Sequence, residues 1–274
     1  MSLHCWGNRI GASYKIPFVK TDGLMLLEAQ IDGVQGYLIF DTGADALILN
    51  RESNEHTDVF ETIDGAVAMS AYDITSLTVG NLTFENLPAY GRDLSQLLNN
   101  PQINLLGIIG SGLFNNEVLH IDNENNLIEI YPRKYLDKIE EENYVVSKIQ
   151  IQDDLIIVPV KISNQEFSFI LDTGSSTSFI DAKVVNANSE LLSFSDKRIS
   201  VKSTSDQKHS SRILSADKIT ISNLSIKQLE MGQADLNAIS KEMDTQIDGI
   251  LSLSQLPISE VIIDFEQSLV YFGI

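Results

Sequence analysis

Tyr37–Gly43 (YLIFDTG) and Phe169–Gly174 (FILDTG) decide the fold. In each, a near-continuous apolar run, as expected of a strand buried on both faces, delivers an aspartate into a loop of small residues. The two aspartates, Asp41 and Asp172, stand 172 − 41 = 131 residues apart. The same spacing relates the stretches before them, Leu24–Ile31 (LMLLEAQI) and Leu155–Ile162 (LIIVPVKI). After them, Ala46–Leu49 (ALIL) corresponds to Ser178–Ile180 (SFI). Downstream the spacing becomes 220 − 78 = 142, relating Leu77–Leu82 (LTVGNL) to Ile219–Leu224 (ITISNL). It also relates Gly107-Ile108-Ile109 to Gly249-Ile250-Leu251, and Asp122 to Asp264 within Val118–Tyr131 and Val261–Phe272. One net insertion of 142 − 131 = 11 residues, placed within Val184–Arg198, accounts for the change.

The chain therefore reads as a duplication. Residues 1–132 form an N-terminal lobe, 133–144 a charged linker and 145–274 a C-terminal lobe. Gly80-Asn81 and Asn123–Asn126 are hairpin turns between short apolar runs. Short helices are expected at Asp93–Asn99, Leu113–Glu117 and Ala234–Met243. The expected class is all-β: two similar six-stranded-type barrel lobes related by a pseudo-twofold axis, with few short helices.

Composition narrows the partners. The 274 residues are 43% hydrophobic and 21% charged, a globular balance, and the net charge is 19 − 38 = −19. Nucleic acid and anionic membrane surfaces are poor matches for so acidic a chain. One cysteine, Cys5, excludes an internal disulfide framework, and the four histidines lack ligand spacing, so no metal or other cofactor is expected. The longest nearly apolar run, Leu105–Phe114, has ten residues, against about twenty for a bilayer-spanning helix. No charged segment followed by an apolar core opens the chain, so no signal peptide is read. Cys5 is open as the remnant of a lipid-attachment site, and the cellular location is not readable.

Burying a carboxylate is costly unless it is hydrogen-bonded or shares a proton. Two equivalent halves packed about an axis bring equivalent loops together. Asp41 then faces Asp172, one of the two keeps a proton, and a water between them becomes a nucleophile. Gly43 and Gly174 allow the close approach, and Thr42 and Thr173 hydrogen-bond across the axis. Other motifs fare worse. Gly110-Ser111-Gly112 is not a nucleophile elbow, and Asp122–Asn126 lacks the calcium-loop pattern. The sequons Asn81-Leu82-Thr83 and Asn223-Leu224-Ser225 fall at equivalent turns.

At these residues the chain resembles the aspartic proteases. Asp41-Thr42-Gly43-Ala44-Asp45 is similar to the retroviral type. Asp172-Thr173-Gly174-Ser175-Ser176 is similar to the pepsin type, as is the carriage of both halves on one chain. The resemblance covers residue 14 to the end and implies an endopeptidase acting on extended polypeptide, without a dimer partner. It implies that Ile108-Ile109-Gly110 threads beside the first catalytic loop, and Ile250-Leu251-Ser252, with Ser for Gly, beside the second. It also implies hairpin flaps, placed at Asp64-Gly65 and Asp206-Gln207. The flap tyrosine of pepsins is missing before Asp64; Phe60 and Ile63 stand nearer and Tyr72 lies beyond. A hydroxyl directly after the Asp-Thr-Gly favours the ionised form of its aspartate. Ser175 supplies one to Asp172 and Ala44 supplies none to Asp41, so Asp172 is expected to be the anion. A catalytically silent peptide-binding module is the alternative reading, and a plain structural duplication a third.

Overall fold

The computed structural model describes residues 13–51, 58–62, 65–138, 140–201 and 209–274. The first half contributes β1 (Tyr14–Thr21), β2 (Leu24–Ile31), β3 (Val34–Asp41), β4 (Leu47–Asn50), β5 (Asp58–Thr62), β6 (Gly65–Val79), β7 (Leu82–Arg92), β8 (Leu105–Gly110), β9 (Val118–Asp122) and β10 (Leu127–Tyr131). The second contributes β11 (Tyr144–Lys148), β12 (Gln150–Gln152), β13 (Leu155–Ile162), β14 (Gln165–Asp172), β15 (Ser178–Asp181), β16 (Ser193–Val201), β17 (His209–Ile221), β18 (Leu224–Ala234), β19 (Gly249–Ser252), β20 (Glu260–Asp264) and β21 (Leu269–Gly273). Two short α-helices, α1 (Ala182–Ala187) and α2 (Asn237–Glu242), complete an almost all-β architecture among the described residues.

Local chemistry explains the folding of each half. Asp22-Gly23 and Asp32-Gly33 take consecutive positive φ values (54° and 82°, 48° and 87°), the backbone that reverses a right-twisted hairpin. In both halves the strand that ends in the Asp-Thr-Gly pairs in parallel with a later strand. Asp41 lies opposite Gly110 (β3 with β8), and Asp172 opposite Ser252 (β14 with β19). β4 and β15 then pair antiparallel to β8 and β19. Each aspartate is thus held at the end of a strand flanked on both sides.

The sheets do not divide at the linker. One has eight strands, ordered β12-β13-β14-β19-β15-β18-β17-β16. The other has thirteen, ordered β11-β21-β20-β9-β10-β1-β2-β3-β8-β4-β7-β6-β5. β9 of the first half pairs antiparallel with β20 of the second, and His120 faces Ile262. Since 262 − 120 = 142, these two are equivalent in the repeat, and the pseudo-twofold axis passes between them. One continuous apolar core runs through both halves, from Phe40 and Phe114 to Phe169 and Phe272. Two smaller clusters flank the axis as near mirror sets. Leu24, Ile39, Ile48 and Ile108 lie in one; Leu155, Ile170, Phe179 and Ile250 lie in the other.

The helix expectations need correction. No helix forms over 93–99, because side chains take the backbone N–H groups a helix would use. Asn50 Oδ1 accepts from Leu94 N–H at 2.8 Å and Asp93 Oδ1 from Ser95 N–H at 2.9 Å. The turn expected at Leu113–Glu117 is a 3₁₀ turn at Ser111–Phe114. The helix expected over 234–243 shortens to α2, since Ala234 remains in β18 and Asp235 accepts the Asn237 N–H. The linker forms two 3₁₀ turns, Arg133–Lys138 and Glu141–Asn143. α1 overlaps the start of the span assigned to the insertion, Val184–Arg198.

Candidate active site

The two Asp-Thr-Gly loops meet at the axis, where the threonines lock them. Thr42 N–H donates to Thr173 Oγ1 at 3.0 Å, and Thr173 N–H donates to Thr42 Oγ1 at 3.1 Å. Each hydroxyl in turn donates to the opposite half, Thr42 to Leu171 O at 2.7 Å and Thr173 to Phe40 O at 2.8 Å. Both threonines are buried. Six buried polar groups are thereby satisfied by four bonds of one symmetric lattice, and leaving any unpaired would cost about 1–3 kcal/mol.

The carboxylates sit directly beside this lattice. Asp172 is only 9% exposed. Asp41 Oδ1 accepts from Gly43 N–H at 2.8 Å. Asp172 Oδ1 accepts from Gly174 N–H at 2.6 Å and Ser175 N–H at 3.0 Å. The aspartates hydrogen-bond each other side chain to side chain. The glycines are crossed: a Cβ on Gly43 would stand 2.9 Å from the Asp172 carboxyl, and one on Gly174 would collide with that of Asp41. Only glycine permits this approach.

Burial pushes both carboxyls above the usual carboxylate range. The charge of Asp41 raises Asp172 further, while the hydrogen bond from Asp172 and the N–H groups of Gly43 and Gly174 pull Asp41 back. Two carboxyls so placed cannot both ionise easily, so the pair retains one proton where isolated aspartates have lost theirs. The expected stabilisation of an Asp172 anion by the Ser175 hydroxyl is not found. That hydroxyl donates to Thr177 O at 2.7 Å, and only the backbone N–H of Ser175 reaches Asp172. Asp172 is raised rather than lowered. In the other loop Ala44 N–H turns back to its own strand, to Asp41 O at 3.3 Å.

The Ser-for-Gly exchange beside the second loop has a local explanation. A Cβ on Gly110 would strike Ala44 O. At the equivalent place Ser252 Oγ donates to Ser175 O at 2.6 Å, and Ser252 N–H donates to Ser178 Oγ at 3.0 Å. A hydrogen bond occupies the position that close packing fills in the first half.

The pair forms the floor of a cleft of about 690 Å³. Leu24, Ile39, Ile48 and Ile108 line one side, and Leu155, Ile170, Phe179 and Ile250 the other. Of the expected flaps, Gly65 lies opposite Thr62 in the β5–β6 hairpin, and Phe60, Glu61 and Thr62 of β5 line the cleft. Asp64, Ile63, Asp206 and Gln207 lie outside the described residues, although β16 brings Ile199 to the opposite wall. Tyr72 does not line the cleft; its ring lies under the Arg51 guanidinium at 4.9 Å. Tyr90 does line it, edge-on to Phe60 with ring centroids 4.5 Å apart. Sequence reasoning missed Tyr90, because nothing in its spacing separates it from core positions of β7. It missed Asp153 and Glu242 as well, although Asp153 repeats Asp22 at the same 131 spacing as the two Asp-Thr-Gly triplets. Among the described residues no cluster of three metal-ligating side chains occurs, and no helix is long and apolar enough to cross a membrane.

Residues 158–254 match the family described as aspartyl protease. No curated protein sequence matches the chain. Among solved structures, the aspartic proteinase from Irpex lacteus is similar over 96% of this chain and 97% of its own, with a TM-score of 0.56 and 12% identity. Soybean basic 7S globulin is similar over 96% and 95%, with a TM-score of 0.52 and 12% identity. Lupine conglutin gamma covers 96% and 95%, with a TM-score of 0.51 and 10% identity. The second half of this chain thus matches the aspartyl protease family, and the whole chain has the fold of an aspartic proteinase.

Proposed function

We propose that the protein is an aspartic endopeptidase in which Asp41 and Asp172, sharing one proton, activate a water against a peptide bond. One observation carries the reading: two adjoining carboxyls both raised by burial, Asp172 further by the charge of Asp41, gripped by crossed threonine and glycine contacts at the floor of an open cleft. The ionised carboxylate takes a proton from the water as its oxygen bonds to the carbonyl carbon. The neutral carboxyl gives its proton to the carbonyl oxygen. The resulting gem-diol collapses as the C–N bond breaks. The amide nitrogen takes the proton of the protonated carboxyl while a gem-diol hydroxyl gives its proton to the ionised one, so acid and amine leave and the pair returns to its single-proton state. Apolar walls on both sides suit an extended polypeptide, and a single chain suffices because it supplies both aspartates.

The fold alone does not decide activity, since its structural neighbours include a proteinase and seed globulins. The test is cleavage of a fluorogenic peptide library across pH 3–8, with Asp41→Asn and a statine-type inhibitor alongside. Cutting that disappears with either supports the reading. Inhibitor binding without cutting at any pH replaces it with a peptide-binding module. Absence of both overturns it.

A further inference from the structure

The pseudo-twofold axis makes each end of the cleft a control for the other. In the repeat, Asp45 is equivalent to Ser176 and Asp154 to Gly23, both at a spacing of 131. Glu242 is equivalent to Asn100 at a spacing of 142. Only Asp153 has an acidic counterpart, Asp22, again at 131. One end of the cleft therefore carries Asp45, Asp153 and Glu242 and the other Ser176 and Asp22, while Asp154 lies outside the lining with its Oδ1 accepting from the Asn115 amide at 2.6 Å.

The structure brings the acidic set together from both halves. Asp45 follows the first catalytic loop, and Asp153 and Asp154 form the turn between β12 and β13. Glu242 ends α2, and its Oε2 reaches across the cleft to accept the Glu61 N–H of β5 at 3.2 Å. Asp45, Glu61, Asp153 and Glu242 all line the cleft, and no lysine or arginine is among its described lining residues. Asp45 is raised by its place in the concavity, then by the charges of Glu242, Asp154 and Asp153. At the other end Asp22 is satisfied by the Asn99 side-chain amide at 3.0 Å, and a Cβ on Gly23 would lie 2.8 Å from Ser176 Cβ. The carboxylates are therefore the rim of a concavity that already holds a buried, proton-sharing pair at its floor and apolar side chains on both walls. A ligand in that cleft meets three carboxylates, Asp45, Asp153 and Glu242, at one end and one, Asp22, at the other.

We propose that this asymmetry makes the cleft selective for extended peptides with an apolar centre and a lysine or arginine on one side of the scissile bond. The inference rests on the endopeptidase reading for the term scissile, while the lysine preference can be measured by binding alone. A cationic side chain at the acidic end relieves the mutual repulsion of Asp45, Asp153 and Glu242, and electrostatic complementarity of this kind acts mainly as specificity. The other end offers a cation Asp22 alone, already held by the Asn99 amide.

The test walks one lysine along an otherwise neutral statine-centred peptide. Binding of each peptide and its glutamine counterpart to the intact protein is measured by calorimetry. Lysine strengthens binding about tenfold at positions on one side of the statine and not on the other, and the ratio shrinks as salt rises. In Asp45→Asn/Asp153→Asn the lysine-to-glutamine ratio falls to about one, whereas Asp22→Asn leaves it in place. The glutamine peptide is the internal reference for folding of each variant. Equal lysine effects on both sides, weaker binding with lysine, an unchanged ratio in the double variant, or failure to bind any peptide overturns the proposal. Library cleavage without lysine preference overturns this inference and leaves the endopeptidase reading standing. Lysine-selective binding without cleavage does the reverse.

Discussion

Gly174 lies against the carboxyl of Asp41, the aspartate of the opposite half, while Gly43 lies more loosely against Asp172. The crossing makes each glycine a spacer for its partner's acid. Gly174→Ala is expected to displace Asp41 and reduce kcat by at least about a hundredfold, as small misplacements of a reacting group do. Gly43→Ala, whose added carbon meets Asp172 at 2.9 Å, is expected to cost less. Steady-state kinetics of the two variants, with thermal melts as controls, give the ranking.

The threonine lattice predicts a stability effect separable from chemistry. Thr42→Val preserves shape but leaves Thr173 N–H and Leu171 O without their buried partner. A loss of about 2–4 kcal/mol in unfolding free energy follows, with Thr173→Val equivalent by symmetry. Thr42→Ser retains the hydroxyl and loses less. Urea titration of the three variants measures the order.

The raised carboxyls link stability to pH with a definite sign. A group whose folded pKa lies above its unfolded value contributes stability below the unfolded pKa and loses it as pH rises through the folded one. Asp41 and Asp172 both shift in that direction, so their contribution falls as pH rises from about 4. Asp172→Asn removes the ionisation while keeping an acceptor for Gly174 and Ser175. This variant is expected to melt higher than wild type at pH 7, with the difference closing towards pH 4. Calorimetry across that range reads it directly.

Ser175 and Ser252 part company in function. Because the Ser175 hydroxyl donates to Thr177 O, Ser175→Ala is expected to leave the acidic limb of the pH–rate profile unmoved. Ser252→Ala releases Ser175 O and destabilises the loop by about 1 kcal/mol, whereas Ser252→Gly restores the arrangement seen at Gly110. Profiles of kcat/KM against pH, with melts for the Ser252 variants, separate the two roles.

The duplication was legible because offsets of 131 and 142 hold over long stretches. An apolar run ending in Asp-Thr-Gly already implies a buried carboxylate in need of a partner. The meeting of Asp41 with Asp172 and the threonine exchange follow from symmetry alone. Three things were not legible. The hydroxyl of Ser175 had two acceptors within reach, and only loop geometry chose Thr177. The helix at 93–99 lost to Asn50, a competitor 44 positions from Leu94. Glu242 joins the cleft through the packing of α2 against β5, a contact that no local pattern encodes.

The pairing of β9 with β20 has a consequence for each half taken alone. His120 meets Ile262, its own counterpart, so each strand binds what is in essence a second copy of itself. A severed first half would expose the free edge of β9, ready-made for another β9 in the same antiparallel register. Two such fragments would bring two copies of Asp41 together at the opposite end of the axis. One chain thus holds the geometry of a symmetric homodimer. Joined in one chain, the two halves need not be identical as two copies must, and Asp45 stands where the second half has Ser176.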